Sequence, residues 1–400
     1  MLGRIVRRSL RQHALSTSIT SASVGLACGL LLSVWVLKDQ SRATFTQING
    51  GFDAVLGARS SKLQLVLNAI FHLEASPANI AWSDYLEIQK NPNVALAVPI
   101  AMGDNFRGFR VVGTLPELFT KTEYAPRKRY LVKSSGRLFD IGLREAVVGN
   151  FAARKLGLRR GDVFHPYHGL TFDEKMQHAE EYVVVGILEP SNTPADRVIW
   201  IPLEGVQKMS GHSTTAATEL SAVLVKLKNP IAGRTLELQY NRQGDRLTFA
   251  WPIGATIAEL LNKVGWFENV LGWVAGLVAL VAAGSVMASI YNSMNERRRQ
   301  IAILRALGAR RQTVFMAIFL EAVSIAVLGA VIGYFFYLVL VWIAGRVIHG
   351  QTGVLIDPFA WNWAMLWAPA GLVALGALAG IVPGLKAYRT DVADNLAPTS

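Results

Sequence analysis

The chain has 400 residues, of which 52% are hydrophobic, and a formal net charge of +12 at pH 7. A mean hydropathy of +0.31 is too high for a wholly soluble protein and too low for a wholly membrane-embedded one, so the composition predicts a chain with both parts. The basic excess does not predict a nucleic-acid partner, because no zinc-finger, RRM or basic-zipper pattern accompanies it.

Four apolar segments are long enough to cross a bilayer. They cover residues 16–37, 270–291, 314–345 and 364–385. A segment of about 22 residues forms about 33 Å of helix, which matches a hydrocarbon core of about 30 Å. The third segment is longer than one crossing requires and is predicted to tilt or to emerge from the bilayer. The first segment lacks a small-residue cleavage pattern, so we interpret it as an uncleaved anchor.

Arginine and lysine flank these segments unevenly. They concentrate before the first span, between spans two and three, and after span four. By the positive-inside rule, both termini and the loop between spans two and three are cytoplasmic. The residues between spans one and two then lie outside. The first thirteen residues alternate apolar and arginine positions, which predicts an amphipathic helix on the inner leaflet; a disordered basic tail is the alternative.

The large region between spans one and two is predicted to be a mixed α/β domain. The predicted strands are 94–100, 109–112, 182–188, 198–201 and 223–227, and the predicted short helices are 82–89 and 151–156. At its end, apolar residues from Ile257 to Leu271 repeat at helical spacing. Span two is therefore predicted to begin as a stalk outside the membrane.

The segment NERRRQIAILRALGARRQ, residues 295–312, carries six arginines between two apolar spans. From Glu296 onward it is a good helix former, and Ile301, Leu304 and Leu307 share one face. Gly308 provides a helix stop. The pattern predicts a short two-faced cytoplasmic helix whose apolar stripe packs on a partner protein. Anchoring on lipid is the alternative, and composition alone does not separate the two.

This segment, followed by FLEA in the third span, resembles the signature of the FtsX/MacB/LolC-type ABC permeases. VVGTLPELF, REAVVGNFAARKLGLRRGDVF and VVGILEPSNTPADRVIWIPLEGVQKM resemble elements of that family's external domain, and PGLKAYRTD resembles its usual end. The resemblance implies an α-helical membrane protein with four transmembrane helices and a mixed α/β extracytoplasmic domain inserted between helices 1 and 2. It also implies a bacterial inner-membrane location with the large domain in the periplasm.

The resemblance divides the chain into eight parts. They are 1–37, amphipathic helix and transmembrane helix 1; 38–266, MacB-like core domain; 267–292, transmembrane helix 2; 293–312, coupling helix; 313–345, transmembrane helix 3; 346–362, external loop; 363–388, transmembrane helix 4; and 389–400, cytoplasmic tail.

In the family, the coupling helix seats in a groove of an ABC ATPase. Carried over, the contact residues are Glu296, Arg297, Arg298, Ile301, Leu304, Arg305, Leu307 and Gly308. The chain contains no GxxxxGK[ST] motif, so we expect a separate ATPase subunit to bind ATP and Mg²⁺, and no catalysis or cofactor in this chain. A second permease copy is expected, as a homodimer, although LolC-type permeases pair as heterodimers. Membrane lipid and a periplasmic adaptor or substrate-binding protein are further expected partners.

The resemblance implies a transport subunit that drives efflux or extraction of an external substrate. An amphiphile, a peptide, a lipoprotein and a metal-linked cargo all remain open. The alternative is a non-transporting, FtsX-like regulator of an external cell-wall hydrolase or sensor. The size of the external region favours transport, since FtsX-type chains usually have a smaller one.

Two further features stand outside this pattern. Glu321 is an acidic residue in the third span, so it is predicted to face the helix bundle, as a structural acid rather than as a proton or substrate contact. The stretch HPYHGLTFDEKMQHAEEY places His165, His168 and His178 among carboxylates, and zinc or another transition metal is one hypothesis for it, which His212 could join. An exposed loop that contacts a partner protein is the alternative.

Overall fold

The computed structural model describes residues 2–47, 49–210, 218–352 and 355–389. The chain divides into two compact units. The helical unit comprises residues 1–41, 264–349 and 356–400, and the α/β unit comprises residues 42–263 and 350–355. The first unit thus collects the apolar segments predicted to span a membrane, and the second collects the region predicted to be an α/β domain.

The helices of the described residues differ widely in length. They are α1 (Leu2–Gln12), α2 (Ala14–Gln47), α3 (Lys62–Ala69), α4 (Trp82–Lys90), α5 (Glu117–Thr120), α6 (Asn150–Leu156), α7 (Leu203–Gln207), α8 (Pro230–Leu238), α9 (Ile253–Glu296), α10 (Arg298–Ala306), α11 (Arg311–Thr352) and α12 (Ala364–Arg389). Among the described residues, four helices are long and apolar enough to cross a membrane, within α2, α9, α11 and α12.

The strands all belong to the α/β unit. They are β1 (Ala54–Ala58), β2 (Ile80–Ala81), β3 (Val94–Phe106), β4 (Phe109–Thr114), β5 (Glu123–Ala125), β6 (Lys128–Arg129), β7 (Glu145–Val148), β8 (Val163–Phe164), β9 (Tyr167–His168), β10 (Tyr182–Ile187), β11 (Ile199–Pro202), β12 (Glu219–Leu220), β13 (Ala222–Leu227) and β14 (Leu247–Ala250). The main sheet has the order β14-β1-β13-β3-β4-β11-β7-β10-β8, with β9 paired to β3.

This mixed sheet is covered on both faces because its inner strands bury alternate side chains in opposite directions. In β1, Leu56 joins one hydrophobic cluster, whereas Val55 joins the other. The first cluster contains Ile88 of α4, Val206 of α7 and Leu236 of α8. The second contains residues of α3 and α5, and also Ile253 and Ile257 from the start of α9. The sheet therefore lies between two layers of short helices.

The membrane helices of the helical unit approach each other closely at glycines. A Cβ atom at Gly333 of α11 would lie 2.4 Å from the Cβ of Cys28 on α2, and one at Gly380 of α12 would lie 2.4 Å from the Cβ of Ala322. Small residues at such crossings let the helix backbones approach, and van der Waals packing then replaces the hydrophobic effect as the source of stability. Cys28 is buried, as expected of a small side chain in this contact.

The predicted fold class is confirmed. The predicted strand 94–100 is the first half of the longer β3, and the predicted helices 82–89 and 151–156 correspond to α4 and α6. The predicted stalk is also present, since α9 runs without a break from Ile253 to Glu296. Two long helices continue past their predicted ends: α2 runs to Gln47 although the first span was predicted to end at residue 37, and α11 runs to Thr352 although the third was predicted to end at residue 345. Residues 346–349 contain no glycine or proline that would end α11.

Candidate coupling site and histidine cluster

The link between α9 and α10 is a single residue, Arg297, with φ −103° and ψ 9°. Within the predicted coupling segment 293–312, Glu296 is the last residue of α9 and the short helix α10 begins at Arg298. At the other end, Gly308 has a φ of +94°, a conformation that glycine adopts without the Cβ clash of other residues. The amide of Ala309 donates to the carbonyl of Leu304 at 3.0 Å, which satisfies a carbonyl of the last helical turn.

The predicted apolar stripe of α10 is divided between two environments. Ile301 is only 9% exposed and belongs to the hydrophobic core of the helical unit. Leu304 is 42% exposed and Leu307 is 80% exposed. Ile303 is exposed as well. Ile301 therefore already has a partner within its own chain, whereas the exposed leucines form the apolar surface on which another protein can pack.

The basic residues of this segment also differ in their surroundings. Arg299 and Arg310 are exposed, and Arg305 is half-buried. The side chain of Arg298 lies outside the described residues. Glu296 is exposed, and its carboxylate lies 3.6 Å from Nδ1 of His13. The exposed charges in the same segment as Leu304 and Leu307 are thus mainly positive.

Arg297 points into the helical unit. Its Nε donates a hydrogen bond to Nε2 of His13 at 2.9 Å, and its Nη1 donates to Oγ of Ser9. Its Nη2 lies 3.7 Å from Oε1 of Glu321, and the Arg297 side chain is only 16% exposed. This arginine was predicted to contact an ATPase, but the structure uses it to hold α1 and α11 against the α9–α10 link.

Glu321 receives these contacts on α11. Ser9 donates its hydroxyl to the Glu321 carboxylate, and the residue is only 8% exposed. A cavity of about 180 Å³ adjoins it, lined in part by Val6, Met294 and Ile318. The geometry gives Glu321 two protein partners, Ser9 and Arg297. The α1 helix is also packed here through Val6 and Ser9, so it does not lie on lipid alone.

Residues 165–182 of the α/β unit, here called the histidine loop, bring together residues that are distant in sequence. Among the described residues, Asp104, His168 and His178 offer ligand atoms within 4.8 Å of one another. His178 Nε2 lies 3.0 Å from Oδ1 of Asp104, and His168 Nδ1 lies 3.5 Å from the same oxygen. The predicted trio is corrected in one member, because His165 lies outside this group and contacts Glu181 at 3.3 Å. His212 lies outside the described residues.

Asp104 was not predicted to belong to the histidine cluster, because this residue precedes the loop by about sixty residues and lies on another strand. The register of β3 against β4 shifts between Met102 and Asp104, and a β-bulge of this kind re-aims a side chain. Asp104 is then paired with His168 across β3 and β9. A charged residue near the end of an apolar strand was the only signal in the sequence.

Two family models match the chain. The MacB-like periplasmic core domain matches residues 17–237, which is more than half of the chain, and the FtsX-like permease C-terminal domain matches residues 272–392. The chain belongs to the MacB/FtsX family of permeases. The predicted family is thereby confirmed. It is a multi-pass membrane protein of a transporter family.

Curated relatives carry the same name in several bacteria. The macrolide export ATP-binding/permease protein MacB of Escherichia coli K12 is 23% identical over 348 residues, which cover 80% of this chain and 49% of that protein. MacB of Bordetella avium is 22% identical over 415 residues, which cover 98% and 59%. The chain thus spans about half the length of the curated relatives it matches. These names do not favour the alternative of a hydrolase regulator.

Two solved structures are similar to part of the chain. The periplasmic region of MacB from Actinobacillus actinomycetemcomitans is 12% identical, with a TM-score of 0.35, and the match covers 53% of this chain and 94% of that one. The extracellular domain of the noncanonic ABC-type transporter YknZ from Gram-positive bacteria is 15% identical, with a TM-score of 0.31, and the match covers 49% and 99%.

Proposed function

We propose that this chain is the permease subunit of an ABC transporter and that it couples ATP hydrolysis in a partner subunit to movement of its α/β domain. In this proposal the partner ATPase binds ATP and Mg²⁺ and docks on α10 around Leu304 and Leu307. The membrane is the bacterial inner membrane, with both termini and α10 in the cytoplasm and the α/β domain in the periplasm. The arginines before α2 and around α10 support this orientation.

One observation carries the proposal: α9 is a single helix from Ile253 to Glu296. Ile253 and Ile257 at its first turns are buried in the core of the α/β unit, and its last residue is separated from α10 by Arg297 alone. A helix of 44 residues is about 66 Å long and is stiff along its axis. A displacement of α10 by a partner would therefore be carried along α9 to the core of the α/β domain.

The proposed cargo is an external amphiphile or peptide, because a moving domain can push a substrate that never enters the bundle. The described membrane helices support this, since Glu321 is engaged by Ser9 and Arg297. The relatives are named for macrolide export, which is consistent with an amphiphilic substrate. We further propose that two copies of the chain form a homodimer and that a periplasmic adaptor or substrate-binding protein assists them.

Hydrogen exchange tests the coupling step in the complex of full-length chain and ATPase in nanodiscs. Amide protection in α9 and in the α/β unit is compared between the nucleotide-free and the ATP·vanadate states. We expect the protection to change with nucleotide in the wild type. The change should be lost in Leu304→Asp/Arg305→Glu, because this variant removes the exposed apolar contact and reverses a charge beside it.

The chain offers a matched control for this variant. Leu238 is 41% exposed, against 42% for Leu304, and Arg242 is exposed whereas Arg305 is half-buried. Leu238→Asp/Arg242→Glu therefore makes the same two chemical changes, Leu to Asp and Arg to Glu, on the α/β unit. The control should keep the nucleotide-dependent change. The proposed function would be contradicted if amide protection in the wild-type complex were the same in the nucleotide-free and the ATP·vanadate states.

A further inference from the structure

The three converging side chains of the histidine loop have the donor spacing of a metal site. In a tetrahedral zinc site with bonds of about 2.0–2.1 Å, neighbouring donor atoms lie about 3.3 Å apart. The two distances to Oδ1 of Asp104, 3.0 Å from His178 and 3.5 Å from His168, fall on either side of this value. Two imidazoles and one carboxylate are a donor set that suits zinc and its first-row neighbours.

The hydrogen bond at Nδ1 of His178 determines which nitrogen of its imidazole ring carries the proton. Its Nδ1 lies 2.8 Å from the carbonyl oxygen of Ser210. A carbonyl only accepts hydrogen bonds, so Nδ1 carries the proton and donates it. In a neutral imidazole, Nε2 then presents a lone pair towards Oδ1 of Asp104, which also presents lone pairs. Two facing acceptors repel each other unless a cation, either a metal ion or a proton, lies between them.

The surroundings hold both histidines in place, as the outer shell of a metal site does. The side-chain Nδ2 of Asn105, which has two hydrogens to donate, lies 3.3, 3.0 and 3.1 Å from the carbonyl oxygens of Tyr167, Gly169 and Thr171, and so holds the backbone around His168. On the other side, the Glu180 carboxylate accepts from the amide of Ser210 at 2.9 Å and from its hydroxyl at 2.8 Å. The carbonyl that orients His178 is therefore itself oriented.

Most of the cluster is buried. Asp104 is 1% exposed and His178 is 6% exposed, so the site is built inside the domain and opens to solvent only at His168, whose side chain is 44% exposed.

We propose that Asp104, His168 and His178 bind one divalent transition-metal ion of the zinc type, with a fourth position open to water on the His168 side. Asp104 lies on β3 of the main sheet, whereas both histidines lie on the loop that follows β8. The ion would therefore fasten this loop, including the short β9, to the C-terminal end of β3. This site is independent of the proposed ATPase contact on α10, so either proposal can fail alone.

Cobalt binding tests the site in the full-length chain, purified in detergent with a tag that contains no histidine. The protein is stripped with a chelator and titrated with Co²⁺ at neutral pH. We expect one Co²⁺ per chain, with the intense visible absorption of a tetrahedral N₂O site, and displacement of Co²⁺ by Zn²⁺. His168→Ala should weaken Co²⁺ affinity by at least about 100-fold, because it removes one of three protein ligands.

His165→Ala is the matched control, since His165 lies on the same loop but outside the cluster. Its Co²⁺ affinity should stay within about twofold of the wild type. His168 is largely exposed, so its replacement leaves the fold intact, and an unchanged thermal transition of the metal-free variant verifies this. The proposal is overturned if the wild type shows no stoichiometric Co²⁺ binding, or if His168→Ala binds Co²⁺ as tightly as the wild type. In that case a proton shared by His178 and Asp104 replaces the ion.

Discussion

The contact of Arg297 with Glu321 predicts that a single substitution in the third span releases α1. Glu321→Gln keeps the size of the side chain and an acceptor for the Ser9 hydroxyl, but it removes the charge that faces Arg297. Both side chains are largely buried, at 16% and 11% exposure, so the remaining arginine charge is left poorly compensated. We therefore expect the docked position of α1 to become less stable, while α11 itself remains a helix.

The magnitude follows from the geometry. At 3.7 Å and an effective dielectric constant of about 20, the attraction of two unit charges is about 4.5 kcal/mol. Breaking a buried pair by removing one partner usually costs about 3–5 kcal/mol, and Arg297 keeps His13 and Ser9 as other partners. We expect a net loss of about 2 kcal/mol, which corresponds to about a 30-fold increase in the population with α1 undocked.

Trypsin measures this population, because α1 carries four arginines and a helix must open locally before a protease cleaves it. When opening is fast relative to cleavage, the initial rate follows the open population, so Glu321→Gln should be cleaved in α1 about 30-fold faster. Glu259→Gln makes the same change in an exposed ion pair with Lys263 and should be cleaved at the wild-type rate. Full additivity of Arg297→Gln and Glu321→Gln in a double variant would refute the reasoning, since partners in one contact must couple.

Two further predictions concern the two units separately. Burial, with a smaller contribution from Arg110, lowers the pKa of His72 to about 3, so the folded α/β unit keeps it neutral while the unfolded chain protonates it below about pH 6.5. The free energy of unfolding therefore decreases as pH falls from about 6.5 to about 3, by about 2 kcal/mol between pH 7 and pH 5. His72→Phe should remove this decrease, which is measured by following unfolding with tryptophan fluorescence. In the helical unit, Gly333→Ala places a Cβ against Cys28 and should destabilise by about 1–3 kcal/mol in thermal unfolding, whereas Gly284→Ala, which meets no neighbour, should be neutral or slightly stabilising. The first prediction would be contradicted if the unfolding of the wild type and of His72→Phe depended equally on pH. The second would be contradicted if Gly333→Ala and Gly284→Ala had equal melting temperatures.

The regular elements were predictable because their signals are local. Alternating and continuous apolar runs located β3, β4, β10 and β13, and apolar length located the four long helices. The helical repeat from Ile257 to Leu271 predicted that α9 continues out of the membrane. In each case one short window of sequence contains the whole physical cause, namely the burial of a face with a fixed period.

The contacts that build the two sites were less predictable, because their partners are far apart in the chain. Ile301 and Leu304 carry the same apolar signal, yet only Ile301 is buried, since this depends on where α9 and α11 lie. Arg297 resembles the neighbouring arginines in sequence but faces Glu321 because the helix breaks at that residue. Asp104 joins the two histidines only through the bulge in β3. Such placements follow from tertiary packing and have no local signature.

The central claim is that α10 is the docking site of a partner ATPase, and co-purification tests it most directly. The tagged full-length chain is isolated from its native membrane with mild crosslinking, and associated proteins are identified by mass spectrometry. The account predicts that an ABC ATPase accompanies the wild type and the control Leu238→Asp/Arg242→Glu, but not Leu304→Asp/Arg305→Glu, although all three are inserted in the membrane. An ATPase that remains bound to the α10 variant, or the absence of any ATPase from the wild type, would contradict the account.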